Sequence, residues 1–178
     1  MSKRDCEDPM SQVKRARYDE VWQKWAKYTG IPWHDKRALG GCYEIVRLFY
    51  QTEYDVELYD FTSEKKYLFR PEYIQSESER LGGLTTVYEG KEGETFDTSI
   101  LKFGDVMIMR LYLDPLRGGY SAQGDGRLWN HAGIYLGDDY FLHHPYQCDS
   151  SIEDLQAEGK WYVPHTELVL RVDCIYNK

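Results

Sequence analysis

Three residues in this chain could together perform acyl-transfer chemistry: Cys42, His131 and His143. Cys42 follows a glycine pair in Gly40-Gly41-Cys42-Tyr43-Glu44-Ile45-Val46-Arg47-Leu48-Phe49-Tyr50, which then reads as an amphipathic helix. His131 opens the apolar run His131-Ala132-Gly133-Ile134-Tyr135-Leu136-Gly137, and His143 lies in the next apolar run, Tyr140-Phe141-Leu142-His143-His144. A thiol at a helix start, with two imidazoles on a strand hairpin, supplies a nucleophile, its base and a group that orients the base. First-turn amides and the positive end of the helix favour a thiolate, and the same amides could hold an oxyanion. The bland alternative stays open: cysteine is among the most buried residue types, and Cys42 could be a core thiol.

Pairing sets a condition on the histidines. Side chains alternate along a strand, so an odd hairpin loop such as Gly137-Asp138-Asp139 puts His131 and His143 on one face, and a two-residue loop puts them on opposite faces. The triad hypothesis therefore predicts an odd loop. His144 points the other way and is the bystander, and His34 and His165 lie outside the constellation. A zinc site built from His131, His143 and His144 is disfavoured, because adjacent strand residues diverge and zinc needs three or four converging ligands.

The elements that must position these residues follow from periodicity. Val21, Trp22, Trp25 and Ala26 recur at helical spacing, and Gly30 ends that helix. Positions 42, 45, 46 and 49 form one apolar stripe, so the Cys42 helix packs deeply. Pro71 starts a helix of about residues 71–81 that Gly82-Gly83 stops. Strands follow at 84–89, 105–112, 131–136, 140–144 and 168–172, and 114–128 reads as a long glycine-rich loop beside the cleft. Helices first and antiparallel strands after predict an α+β fold, with the N-terminal helices packed on the sheet. Residues 1–17 are charged and read as a tail, and 18–178 as a single domain.

Composition narrows the partners. The 178 residues carry a formal charge of −8, which argues against nucleic acid. No run is long and apolar enough to span a membrane. The start of the chain leads into no signal-peptide core, so the four cysteines are expected to be free thiols in a reducing cytoplasm. Sixteen Tyr and five Trp suit interfaces and polar clefts as well as a mixed core.

Cys before His before His, with His131-Ala132-Gly133-Ile134-Tyr135-Leu136-Gly137, resembles the NlpC-type cysteine peptidases, a papain-like family that cuts cell-wall peptides. Within that family, several stretches are similar to the tail assembly proteins of long-tailed phages, relatives of the lambda tail tip protein K. They are Tyr28-Thr29-Gly30-Ile31-Pro32-Trp33, the Cys42 segment, Leu58-Tyr59-Asp60-Phe61 and Lys102-Phe103-Gly104-Asp105-Val106. Asn130 to Gly137, Phe141 to His144, Ser151, Trp161 and Leu170-Arg171 also fit. The resemblance covers roughly residues 20–173.

It implies Cys42 as nucleophile, His131 as base and His143 as the orienting group, with no metal or organic cofactor. It implies a peptidoglycan stem-peptide amide as substrate, phage tail tip proteins as partners, and a place in the virion tail, with the host cytoplasm as the site of assembly. The chain departs from the family where Gly41-Cys42-Tyr43-Glu44 replaces the usual Asp-Cys-Ser-Gly or Asp-Cys-Trp-Gly, and where Trp33 takes the aromatic position ahead of the glycines. Trp33, Tyr43 and Glu44 are therefore the candidates for substrate or oxyanion contacts. The other expectation is a structural tail-tip component that keeps the fold with little or no activity.

Overall fold

The computed structural model describes residues 9–33, 41–58, 71–81, 83–90, 94–111, 131–145 and 148–176. The long loop read over 114–128, the first eight residues and the segment 59–61 lie outside the described residues.

Helix α1 spans Pro9–Trp25 and runs into a 3₁₀ turn, Ala26–Tyr28. It begins within the segment whose charge suggested a tail. Helix α2 spans Cys42–Tyr54 and α3 spans Pro71–Leu81. The strands are β1 (Leu84–Glu89), β2 (Val106–Met109), β3 (His131–Gly137), β4 (Tyr140–His143), β5 (Ser151–Asp154) and β6 (Thr166–Val172). They form one six-stranded sheet in the order β1-β6-β2-β3-β4-β5, and every neighbouring pair is antiparallel. The chain is thus an α+β protein, helices first and antiparallel strands after. Strand β5 and a 3₁₀ segment, Glu158–His165, were not legible as elements in the sequence.

The centre of the sheet, β2, β3, β4 and β6, is buried on both faces, and alternation explains how. In β2, Val106 and Ile108 join the helix-side core, where Ile45, Val46, Phe49 and Tyr50 of α2 are fully buried. Met107 and Met109 face the opposite way, into a second core with Phe141, Leu155 and Val169. Each such side chain contributes about 1.5–3 kcal/mol when buried. The stripe 42, 45, 46, 49 is therefore the face that α2 lays on the sheet, and it fixes Cys42 at the sheet's surface.

A buried ion pair ties β6 to the approach to β2. Arg171 donates from Nε and Nη2 to the two carboxylate oxygens of Asp105 at 2.8 and 2.7 Å, and the Lys102 amide donates to Asp105 Oδ2 at 2.8 Å. Asp105 is fully buried, so it depends on these donors.

Candidate active site

Helix α2 starts abruptly. Gly41 is its N-cap with φ +125°, a conformation that side chains rarely adopt. A Cβ there would lie 2.5 Å from Trp33 Cη2, so the indole and the helix start exclude anything larger than glycine. Trp33 is brought there by the chain between Tyr28 and Ile31, which is bonded to Ser150. The Ser150 hydroxyl donates to the Tyr28 carbonyl at 2.7 Å and accepts from the Ile31 amide at 2.9 Å. Backbone bonds link Gly30 and Ile31 to the same residue. The other edge of Trp33 meets the His144 ring, with centroids 5.0 Å apart.

Cys42 is the first residue of α2 and is only 3% exposed. Burial pushes its thiol up to about 11, and the Glu44 charge adds to the rise. Backbone amides of Ala132, Tyr43 and Cys42 itself pull the other way. The expectation of a thiol lowered by the helix start is therefore corrected: the amides act as foreseen, and desolvation outweighs them. The backbone hydrogen bond from Ala132 also locates the sulfur, at the start of β3.

The β3–β4 hairpin places the histidines, but not as the parity argument foresaw. The loop has two residues, Asp138 and Asp139, both left-handed with φ of 51° and 67°. This is the mirror-image turn that suits a twisted hairpin. The pairing then slips: Gly137 faces Tyr140 and Tyr135 faces Phe141, so Leu136 is an extra residue on β3. That bulge supplies the odd residue. Beyond it Gly133 pairs with His143, so His131 and His143 share a face after all.

Their rings meet. His131 Nε2 lies 2.9 Å from His143 Nδ1, and the ring planes are at 88°. His143 Nε2 lies 3.0 Å from Glu153 Oε1 and 3.3 Å from Ser151 Oγ, both on β5. Tyr162 covers the pair, stacked on His131 and edge-on to His143. His131 is 4% exposed and His143 is fully buried. Burial holds His131 well below its ordinary value, with His143 and His144 adding to the fall. Burial also lowers His143, and the Glu153 carboxylate partly offsets this. The raised thiol and the lowered imidazoles favour the neutral forms of Cys42, His131 and His143.

The other sequence candidates sit as follows. Tyr43 is buried in the helix-side core, where burial drives its phenol far up. Glu44 is buried and bonded to Arg47 at 3.0 and 3.1 Å. It lines a cleft of about 260 Å³ with Arg47, Leu48, Gln51, Glu57 and Leu58. His144 is fully buried, edge-on to the Trp33 indole. The residue that sequence reasoning missed is Glu153. Its signal was faint: in Ser151-Ile152-Glu153-Asp154 only residues 151 and 153 alternate with the buried Ile152.

No family model and no curated protein matches the chain. Among solved structures it is similar to the NlpC/p60 domain of the peptidoglycan hydrolase SagA, at 17% identity and a TM-score of 0.43, over 85% of this chain and 95% of that one. It is also similar to an NlpC/P60 family protein from Bacillus cereus, at 17% identity and a TM-score of 0.46, over 86% of this chain. A third similar structure is a lipoprotein-like NLP/P60 family protein from Staphylococcus aureus, at 16% identity and a TM-score of 0.40, over 97% of this chain. The chain spans 39% and 45% of the length of the last two. Among the described residues, no helix is long and apolar enough to cross a membrane.

Proposed function

We propose that this chain is a cysteine peptidase of the NlpC type, acting on a peptide amide of peptidoglycan stems. The observation that carries the reading is the 2.9 Å contact of His131 Nε2 with His143 Nδ1, with Cys42 held against the residue next to His131. In this reading His131 Nδ1 takes the proton of Cys42, and the thiolate attacks the amide carbon. Amides at the start of α2 hold the oxyanion. The His131 imidazolium then protonates the departing amine, and water, deprotonated by His131, releases the acyl group from Cys42. His143 keeps the base in orientation. Because burial favours the neutral pair, the proton moves when substrate arrives, not beforehand.

The segments similar to phage tail assembly proteins support a finer reading. The domain works at a tail tip, among other tail proteins, in the virion and in the host cytoplasm during assembly. One observation favours a second reading, a structural tail-tip component: Cys42, Tyr43 and Glu44 are 3%, 4% and 7% exposed.

Alkylation of Cys42 by iodoacetamide tests the peptidase reading. Mass spectrometry separates Cys42 from Cys6, from the exposed Cys148 and from the partly exposed Cys174. With the thiol held up to about 11, reaction at neutral pH depends on the base. The His131→Ala variant is expected to react at least ~10-fold more slowly at pH 7, the lower end of what a general base supplies. The gap narrows above pH 9, as hydroxide takes over. A rate indifferent to His131 at every pH overturns the reading in favour of the structural one.

A further inference from the structure

The hydrogen-bond chain does not end at His143. We propose that Glu153 is a positioning residue: its carboxylate accepts the Nε2–H of His143, which fixes the proton of His131 on Nε2 and leaves His131 Nδ1 as the basic nitrogen for Cys42. The inference rests on the peptidase reading for its purpose, but its geometry stands alone.

Donors and acceptors along the chain must alternate. A neutral imidazole carries one proton, and its two nitrogens have opposite roles. An ionised carboxylate can only accept. Glu153 Oε1 lies 3.0 Å from His143 Nε2, so that nitrogen donates and His143 Nδ1 must accept. The partner of Nδ1, at 2.9 Å, is His131 Nε2, which must then donate. The proton of His131 is thereby committed, and its other nitrogen keeps a lone pair.

The reverse assignment would put the His131 proton on Nδ1 and leave no base for the thiol. It would also set the His143 Nε2 lone pair against the carboxylate. Ser151 reinforces the direction, since its hydroxyl lies 3.4 Å from Glu153 Oε1 and donates to it. Once the thiol proton arrives, the His131 cation is one neutral ring away from the Glu153 charge.

Register puts the group there. His143 pairs with Ser151 across β4–β5, and Glu153 lies two residues on, beside Phe141 and on the same face. Phe141 stacks on the His143 ring at 4.4 Å and closes the site to water on that side. Glu153 is 22% exposed, so the buried relay ends in a group that reaches solvent.

The test has two readouts on the full chain. Histidine ¹⁵N NMR of the unmodified protein at pH 7 reads the tautomers directly; both His131 and His143 are expected to carry the proton on Nε2. Iodoacetamide rates then form a double-mutant cycle. Glu153→Gln is expected to slow Cys42 alkylation at pH 7 by roughly 10-fold in the native background and to leave the His131→Ala rate unchanged, as an effect routed through His131 requires. A merely structural role would slow both backgrounds alike.

Protonation of His143 on Nδ1 overturns the proposal; where the native rate depends on His131, so does an equal effect of Glu153→Gln in both backgrounds or no effect in the native one. If both histidines are Nε2–H but the native alkylation rate ignores His131, the relay stands and the peptidase reading falls.

Discussion

His143 sits directly across from Gly133 in the β3–β4 ladder, and this pairing brings its ring to His131, two residues before Gly133. A side chain at 133 would collide there. A Cβ would lie 2.9 Å from Phe141 Cδ2, 3.0 Å from the Leu142 carbonyl and 3.1 Å from His143 Cβ. The glycine in His131-Ala132-Gly133 is thus the opening through which the two histidines meet.

The first prediction follows from that contact. Gly133→Ala overpacks the ladder at a cost of about 1–3 kcal/mol. It also pushes His143 away from His131. The thermal midpoint should fall by several degrees, and Cys42 alkylation should slow beyond what partial unfolding explains. Native stability and native reactivity in this variant would contradict the site geometry.

The second prediction concerns the ion pair that anchors β6. Arg171→Met leaves Asp105 buried without its bidentate partner, and breaking such a pair costs about 3–5 kcal/mol. For a chain of this size that corresponds to a fall of about 6–20 °C in the melting midpoint. Exchanging both partners, as Asp105→Leu with Arg171→Met, should recover much of the loss. A double variant as unstable as the single one would show that the pair is not what the strands depend on.

The third prediction is a pH dependence with a definite sign. His131, His143 and His144 are all held below the ordinary histidine value, burial being the largest cause in each. Their folded values are depressed, so the unfolded chain binds more protons below about pH 6.5. The stabilisation is complete above that pH and is lost as pH falls, each histidine contributing up to about 1.4 kcal/mol per pH unit.

Urea unfolding at pH 7.5 and 5.0 measures it, and His144→Phe isolates one share. That ring is buried against Trp33, and burial is the largest cause of its lowered value. The variant should lose less stability on acidification than the native protein. An identical loss in both would remove His144 from the account.

Much of this was legible in the sequence because it rests on local periodicity. The stripe 42, 45, 46, 49 announced α2, and Pro71 with Gly82-Gly83 framed α3. The runs after His131 and Tyr140 announced the hairpin. The requirement that His131 and His143 share a face was also legible, since it depends only on alternation. How the chain meets that requirement was not.

The extra residue at Leu136 shifts the register beside the Asp138-Asp139 turn, and the residues themselves carry no mark of it. Glu153 escaped for a related reason. Strand β5 has four residues, too few for a pattern, and its value lies in a neighbour ten positions earlier. The burial of Cys42 is a tertiary fact: helix-start chemistry predicts a lowered thiol, and only the packing around it shows desolvation prevailing.

The most direct test is digestion of purified peptidoglycan by the native protein and by Cys42→Ala, with released peptides read by mass spectrometry. Cys42→Ala removes only a sulfur at the helix start, so folding should be retained, as circular dichroism and the melting midpoint will show. The account predicts new stem-peptide fragments from the native protein and none from Cys42→Ala. Fragments from both proteins would contradict Cys42 as the nucleophile. No fragments from a folded native protein would contradict the peptidase reading and leave the domain as a structural part of its assembly.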